Sequence, residues 1–228
     1  PTSTNTISLS YKLNFVQTDD KTTSGSQGNN FKTYSVGDEF CLENECFYVI
    51  KDNGTTVDAL AKQNVNTVSN RQDANANTLA FAKPDETKRK PNCTTTYWCY
   101  NAYWTDNTSN HNLLSKYGTS YPANVFDSNS LLYEPVQNYK TYLKNTLRKT
   151  SIDARLITYE ELISLGCKGN SCKLAPSWVY SPYYWTASAD SNDSVWFVRS
   201  AHRFGGGSFD LSGAYGLRPV ITISKSDI

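Results

Sequence analysis

The sequence predicts an α+β fold, with strands at both ends of the chain and helices in the middle. Short strand-like segments cover residues 40–42, 46–51 and 56–61, and strand patterns return from residue 183 onward. Between them, an amphipathic helical pattern starts with Pro135 in its first turn. Six cysteines in three close pairs indicate that local disulfides staple this arrangement.

Composition excludes several classes of function. With 228 residues the chain can form one large domain or two small ones, and its net charge of +1 gives no basis for binding nucleic acid or an anionic membrane. No apolar run approaches the ~18 residues that span a bilayer. Because the sequence contains no methionine, we expect a trimmed chain that has lost an N-terminal anchor or export signal, its only link to a membrane. Many aromatic, Asn, Ser and Thr residues are typical of a surface-exposed binding module.

The cysteines favour short-range bridges. Six cysteines allow 15 connectivities, but four or five residues separate the partners of each close pair. These pairs are Cys41 with Cys46, Cys93 with Cys99, and Cys167 with Cys172. Each bridge contributes about 2 kcal/mol in the chain-entropy model. The alternative is a metal site, yet the only histidines are His111 and His202, so the spacing predicts disulfides and an oxidising, extracytoplasmic setting.

The N-terminal half divides into a polar segment and an ordered domain. Residues 1–33 contain one alternating strand pattern at 7–16 and a Ser/Gly/Asn-rich linker at 22–30. We expect the domain proper to cover residues 34–228. Within it, Asn53 and Gly54 form a hairpin turn signal before the third strand.

Residues 62–131 form a long, loop-rich insertion with little periodicity. The insertion contains a basic run at 88–90, which is typical of a solvated loop, and an aromatic run at 97–104. The predicted helix that follows has an apolar stripe of Val136, Tyr139, Leu143 and Leu147.

The C-terminal part predicts one further helix and a series of strands. A short strand at 154–157 precedes Thr158 and Glu161, which form a capping box for a short helix that ends at Gly166. Strands are then predicted at 183–188, 195–200, 208–212 and 217–224, and the triple glycine at 205–207 is expected to be a turn.

Signatures of catalysis and of cofactor binding are missing. Common hydrolase, metalloprotease, phosphate-loop and redox motifs do not occur, and His202 has no obvious acid partner, so we expect no enzyme activity. Asp190, Asn192 and Asp193 could hold Ca²⁺, but they lack the glycine and terminal glutamate of an EF-hand loop. A turn is the favoured reading of that cluster, and no cofactor is expected.

The C-terminal third also resembles a known group of proteins. The resemblance rests on Ala154-Arg-Leu-Ile-Thr-Tyr-Glu-Glu-Leu, Trp178, Tyr184-Trp-Thr-Ala-Ser, Val195-Trp-Phe-Val and Gly216-Leu-Arg-Pro-Val-Ile. This pattern resembles C-type-lectin-fold proteins, in the branch that contains formylglycine-generating enzymes and the variable proteins of diversity-generating retroelements. The resemblance implies a C-type lectin-like fold with two helices flanking small antiparallel sheets, closely spaced termini, and a ligand surface on the last strands.

Two departures and one compositional feature refine the resemblance. The Glu-Pro-Asn and Trp-Asn-Asp calcium motifs of sugar-binding relatives are absent, and the catalytic cysteines of the enzymes have no counterpart in the C-terminal region. Residues 174–224 contain no Lys, Glu or Gln, which the family's adenine mutagenesis cannot generate at its variable codons. A segment diversified by a retroelement is one reading of this, and a strand region poor in charge is the other.

Strand alternation predicts which side chains face outward. Trp196 and Val198 are expected to face the core, leaving Phe197 and Arg199 exposed, although Phe197 or Phe204 could instead pack under the insertion. Aromatic and arginine side chains among small polar residues are typical of recognition surfaces. The predicted ligand-binding residues are Asp190, Asn192, Asp193, Phe197, Arg199, His202, Arg203, Phe204, Ser208, Asp210, Ser212 and Tyr215.

These observations favour an extracellular or cell-surface ligand-binding module of the adhesin type, probing a protein or glycan on another cell, phage or host surface. A structural pilin-like subunit that uses the lectin fold as a scaffold is one alternative. A modifying enzyme of the formylglycine-generating type is the other, and would need a reactive cysteine or a copper site.

Overall fold

Strands are the most frequent regular element of the described chain, which in this computed structural model comprises residues 31–66, 69–77, 120–128, 130, 132–191, 194–199, 202–208 and 215–228. In chain order the strands are β1 (Glu39–Leu42), β2 (Glu45–Asp52), β3 (Thr56–Ala61), β4 (Val65–Asn66), β5 (Arg71–Gln72), β6 (Ala123–Asn124), β7 (Ile152–Leu156), β8 (Tyr184–Ala189), β9 (Ser194–Arg199), β10 (Arg203–Ser208) and β11 (Pro219–Ser224). The α-helices are α1 (Tyr133–Asn145), α2 (Tyr159–Ser164) and α3 (Ser177–Tyr180), and 3₁₀ turns cover Ala74–Asn77 and Lys225–Asp227.

The strands form two larger antiparallel sheets. The first has the order β1-β2-β3-β11-β7, so the last strand of the chain lies between an early strand and a middle one. The second has the order β10-β9-β8-β6, and β4 pairs with β5 separately. The predicted mixture of helices and antiparallel sheets is therefore confirmed.

Local signals placed α1 and α2 correctly, whereas α3 was not predicted. Pro135 lies in the first turn of α1, where its missing N–H leaves no helical bond unmade, and the buried stripe contains Val136, Tyr139 and Leu143. The predicted capping box of α2 is present, with the Glu161 amide donating to the Thr158 hydroxyl. No helix in the described part of the chain is long and apolar enough to cross a bilayer.

Two of the three predicted disulfides are present. Cys41 and Cys46 join directly paired positions of β1 and β2, and Cys167 and Cys172 close the loop between α2 and α3. The third predicted bridge, the strand at 7–16 and residues 1–30 of the predicted N-terminal segment lie outside the described residues.

The second sheet lies between two clusters of buried apolar side chains. Trp185 and Phe197 belong to one cluster, whereas their neighbours Tyr184 and Val198 belong to the other. Because successive side chains of a strand point to opposite faces, the alternation along β8 and β9 assigns one cluster to each face of the sheet.

The triple glycine is part of β10, so its prediction as a turn is wrong. Gly205, Gly206 and Gly207 pair with β9, and residues 209–212 of the strand expected at 208–212 lie outside the described residues. At Gly206 a Cβ atom would collide with the carboxylate of Asp190. Because glycine has no side chain, the Asp190 carboxylate can lie directly against β10. This contact explains why the strand contains a residue that otherwise weakens strands.

A buried arginine connects the two sheets. Arg218 is fully buried just before β11, and its guanidinium donates to the carbonyl oxygens of Ala61 at 2.6 Å, Val179 at 3.2 Å and Lys62 at 3.3 Å. The guanidinium also lies 5.0 Å from the ring centroid of Tyr184 in β8. Burial lowers the pKa of Arg218, because no water stabilises its charge there.

We predict that Arg218→Met lowers the free energy of unfolding by about 2–4 kcal/mol, because the carbonyl oxygens of Ala61, Lys62 and Val179 each lose a hydrogen bond from the guanidinium. Urea denaturation followed by tryptophan fluorescence measures the loss. Arg203→Met, at an exposed position, is the control and should stay within about 0.5 kcal/mol of the wild type. Equal stability of the two variants would show that the buried guanidinium is dispensable.

The two ends of the described domain meet at Asp52. Its carboxylate accepts hydrogen bonds from the Lys225 ammonium at 2.7 Å and from the backbone amides of Tyr34 and Gly54, both at 2.8 Å. The Lys225 hydrogen bond, followed by those two amides, lowers the pKa of Asp52 from 3.8 to about 2. The folded state therefore binds a proton at this site less readily than the unfolded state does.

The lowered pKa of Asp52 determines how the stability of the fold changes with pH. The stabilisation is present above the unfolded-state pKa and is lost as the pH falls through about 2. We predict that Asp52→Asn melts earlier than the wild type near neutral pH and that the difference in melting temperature shrinks steadily below about pH 4. Lys225→Met should show the same trend. A difference that stays constant down to about pH 2 would contradict this role for the carboxylate.

Candidate functional site

The predicted site residues that the structure describes lie in three places. Most are in the β9–β10 hairpin, Asp190 directly follows β8, and Tyr215 precedes β11. Asp190, Arg199, His202, Arg203 and Tyr215 are partly or fully exposed. Ser208 is placed only as the last residue of β10. Asn192, Asp193, Asp210 and Ser212 lie outside the described residues, so their assignment to the site stays a prediction.

Strand pairing brings two arginines side by side at the tip of the hairpin. Arg199 ends β9 and is directly opposite Arg203, which begins β10. Side chains at directly opposed positions share one face, with Cβ atoms about 5 Å apart, and like charges there repel. Both arginines are exposed, and no ion pair among the described residues includes either of them.

A stack of aromatic rings lies beside this pair. The rings of Phe197 and Tyr215 are nearly parallel, with centroids 4.3 Å apart and an interplanar angle of 16°. Trp185 meets the Tyr215 ring edge-on at 4.8 Å. The Arg199 guanidinium carbon lies 6.0 Å from the centroids of both stacked rings, at the outer limit of a cation–π contact. Partial burial raises the pKa of Tyr215, so its hydroxyl stays protonated at neutral pH.

The prediction that Phe197 and Phe204 are exposed is wrong. Phe197 is only 8% exposed and contacts Trp185 and Tyr215, and Phe204 is 1% exposed and stacks on Tyr159. Strand alternation predicts one buried and one solvent-exposed face, whereas both faces of this sheet are covered by apolar residues. Phe197 lies on the face of the arginines and Phe204 on the opposite face, and because both rings are buried neither forms much of the contact surface.

Trp196 is only half-buried, on the face opposite the arginines. Its ring lies 4.5 Å from Phe204 and 4.8 Å from Tyr159, against the second apolar cluster. The inward orientation expected for Trp196 is therefore met in part, and its partner on that face is helix α2 rather than the main core.

Gly205 leaves an open space on the same face as the arginines. It pairs with Phe197, one alternation step along the strands from the Arg199–Arg203 pair. A Cβ atom built at Gly205 would meet no heavy atom of the described residues within 4 Å. On this face the hairpin therefore combines three features: a strand position without a side chain at Gly205, the stacked rings of Phe197 and Tyr215, and the two arginines at its tip.

Asp190 has a structural role at the β8–β9 turn. Its backbone amide donates to the Ser194 carbonyl at 2.8 Å, and its carboxylate accepts from the Ser194 hydroxyl at 3.1 Å. This geometry fits the turn reading of the acidic cluster. The described chain contains one group of side chains spaced for a metal ion, Glu39 with Cys41 and Cys46, and the two cysteines there are joined by a disulfide.

The Cys167–Cys172 loop holds the hairpin from its outer side. The Cys172 amide donates to the His202 carbonyl at 2.7 Å, and the Phe204 amide donates to the Asn170 carbonyl at 3.3 Å. His202, in the left-handed region at φ 65°, also packs its ring 4.3 Å from that of Tyr180. Sequence analysis missed Gly205 and this loop, although a glycine inside a strand is a signal of close approach.

Comparison of the chain with protein-family models, curated proteins and solved structures finds no match. The chemistry of the site is therefore read from its own side chains. Two guanidiniums, a tyrosine hydroxyl and aromatic faces can bind a ligand through charge, hydrogen bonds and packing.

We predict that Phe197→Ala lowers the free energy of unfolding by about 3–5 kcal/mol, because it removes a buried ring between Trp185 and Tyr215. Phe197→Leu keeps most of the volume and should lose less than about 1.5 kcal/mol. Chemical denaturation measures both. If Phe197→Ala is as stable as the wild type, this side chain belongs to the exposed surface after all.

Proposed function

We propose that this chain is an extracellular, adhesin-like ligand-binding module whose recognition surface lies at the tip of the β9–β10 hairpin. The observation that carries the proposal is the Arg199–Arg203 pair. Two exposed like charges in direct register destabilise a sheet, and no ion pair among the described residues offsets them. A bound partner that supplies acceptors would offset that repulsion.

The C-type lectin-like fold belongs to the same proposal. Tyr34 and Lys225 both bind Asp52, and the Lys225 ammonium lies 5.7 Å from the centre of the Tyr34 ring. The two ends of the domain are thus adjacent, as that fold requires. In addition, β11 near the C-terminal end lies between β3 and β7, so it belongs to the same sheet as the first strands of the domain.

Two local disulfides support an extracellular setting, since such bridges persist in oxidising compartments. Diversification by a retroelement is also compatible with the hairpin. Arg199 and Arg203 are exposed, whereas Val195, Val198 and Phe204 fix the strands beneath them. Outward side chains can therefore change without loss of the core. A reverse transcriptase beside a near-repeat of this coding segment would be the genomic test.

We predict that Arg199→Ala/Arg203→Ala abolishes attachment while the melting temperature stays the same or rises slightly, because the change removes the like-charge contact and leaves every core side chain in place. The fluorescently labelled chain is incubated with intact epithelial and bacterial cells, and attachment is counted by flow cytometry. We expect a loss of roughly tenfold or more on the cell type that binds the wild type.

Lys144→Ala/Arg148→Ala is the matched control, because it removes two exposed positive charges from the end of α1 and should leave attachment unchanged. Attachment that survives in the arginine variant would move recognition away from the hairpin. A chain that attaches to neither cell type and instead polymerises in sedimentation experiments would favour the structural-subunit alternative.

A further inference from the structure

We propose that the hairpin binds an acidic sugar, with a carboxylate or sulfate group held between Arg199 and Arg203 and the sugar ring lying over Gly205 beside Tyr215. This inference rests on the ligand-binding function proposed above and names the class of ligand. It follows from the charge of the pair, the open space next to it and the occupied edge of β10.

The arginine pair selects the charge of the ligand. Arg199 and Arg203 start about 5 Å apart on one face, so their planar guanidiniums can converge on one group that has two or three acceptor oxygens. Carboxylate and sulfate groups have this geometry, and charge-assisted hydrogen bonds to them are about twice as strong as neutral ones. With a net charge of +1, the chain favours a single acid group over a long polyanion.

The space beside the pair selects the size of the ligand. Gly205 lies two residues from Arg203 along β10, a distance of about 6.8 Å, which a six-membered sugar ring and its acid group can cover. No heavy atom of the described residues would meet a Cβ at Gly205. Phe197, the residue directly opposite Gly205, borders the space, and the Tyr215 ring stacks on Phe197.

The edge of β10 disfavours an acidic peptide that adds as a further strand. Beside the arginines, Ser171 already forms a bridge with Arg203, and the Phe204 amide already donates to Asn170. An extended peptide therefore finds the backbone groups next to the arginine pair in use, whereas a sugar lying on the face needs none of them. The occupied edge therefore favours a sugar over a peptide at this site.

The test measures dissociation constants of the whole 228-residue chain by titration calorimetry at about 0.1 M salt. The probes are a trisaccharide ending in N-acetylneuraminic acid, its methyl ester, a sulfated trisaccharide with its unsulfated parent, and a glutamate-rich hexapeptide. We expect the sialylated or the sulfated probe to bind, and the uncharged counterpart of that probe to bind at least about tenfold more weakly. The sialylated pair tests for a carboxylate, and the sulfated pair tests for a sulfate ester.

Three variants locate the binding. Arg199→Ala and Arg203→Ala should each weaken binding of the acidic probe by about tenfold or more. Gly205→Val should abolish it while the melting temperature stays the same or rises, because the new side chain enters open space and valine favours strands. Lys144→Ala/Arg148→Ala should bind like the wild type.

The inference is overturned if neither acidic sugar binds, if the methyl ester or unsulfated parent binds equally well, or if only the hexapeptide binds. In each of these cases the proposed function still stands provided that Arg199→Ala/Arg203→Ala loses attachment to cells. If the acidic sugar binds and all three hairpin variants bind it normally, the site is elsewhere and the inference is wrong. The two proposals therefore fail through different measurements.

Discussion

The buried guanidinium of Arg218 is the contact on which the arrangement of the two sheets depends. Its acceptors are the carbonyl oxygens of Ala61 at the end of β3, of Lys62 directly after it, and of Val179 in α3. Tyr184 in β8 donates to the same Val179 carbonyl at 2.6 Å and presents its ring to the guanidinium. Because a buried charge is tolerated only when its donors are satisfied, this set of carbonyls fixes where β8 lies relative to β3.

The position of β8 determines where recognition can take place. Helix α2 and the second apolar cluster cover one face of its sheet, and the main core covers the other. Neither face is free along most of β8 and β9. The described part of this sheet reaches solvent chiefly at the Arg199–Arg203 end, where the apolar residues stop. The candidate site is therefore the end of a hairpin and not an exposed sheet face.

Local sequence signals predicted much of this fold. The proline of α1, the Thr158–Glu161 capping box and the two described cysteine pairs each act within a few residues, so the chain alone specifies them. Phe197 and the triple glycine were misread for one shared reason. Both are contacted by residues distant in sequence: Tyr215 stacks on the Phe197 ring, and Asp190 lies against Gly206. Strand alternation contains no information about such residues that cover the sheet.

The β9–β10 hairpin remains stable despite the repulsion between Arg199 and Arg203. Repulsion between exposed arginines costs about 1 kcal/mol or less, which is small beside the burial of the aromatic residues beneath them. The Cys167–Cys172 loop adds hydrogen bonds to His202 and Phe204 on the outer side. The arginines are thus held next to each other before any ligand arrives. A ligand that bridges them does not have to order the backbone, so more of its interaction energy appears as affinity.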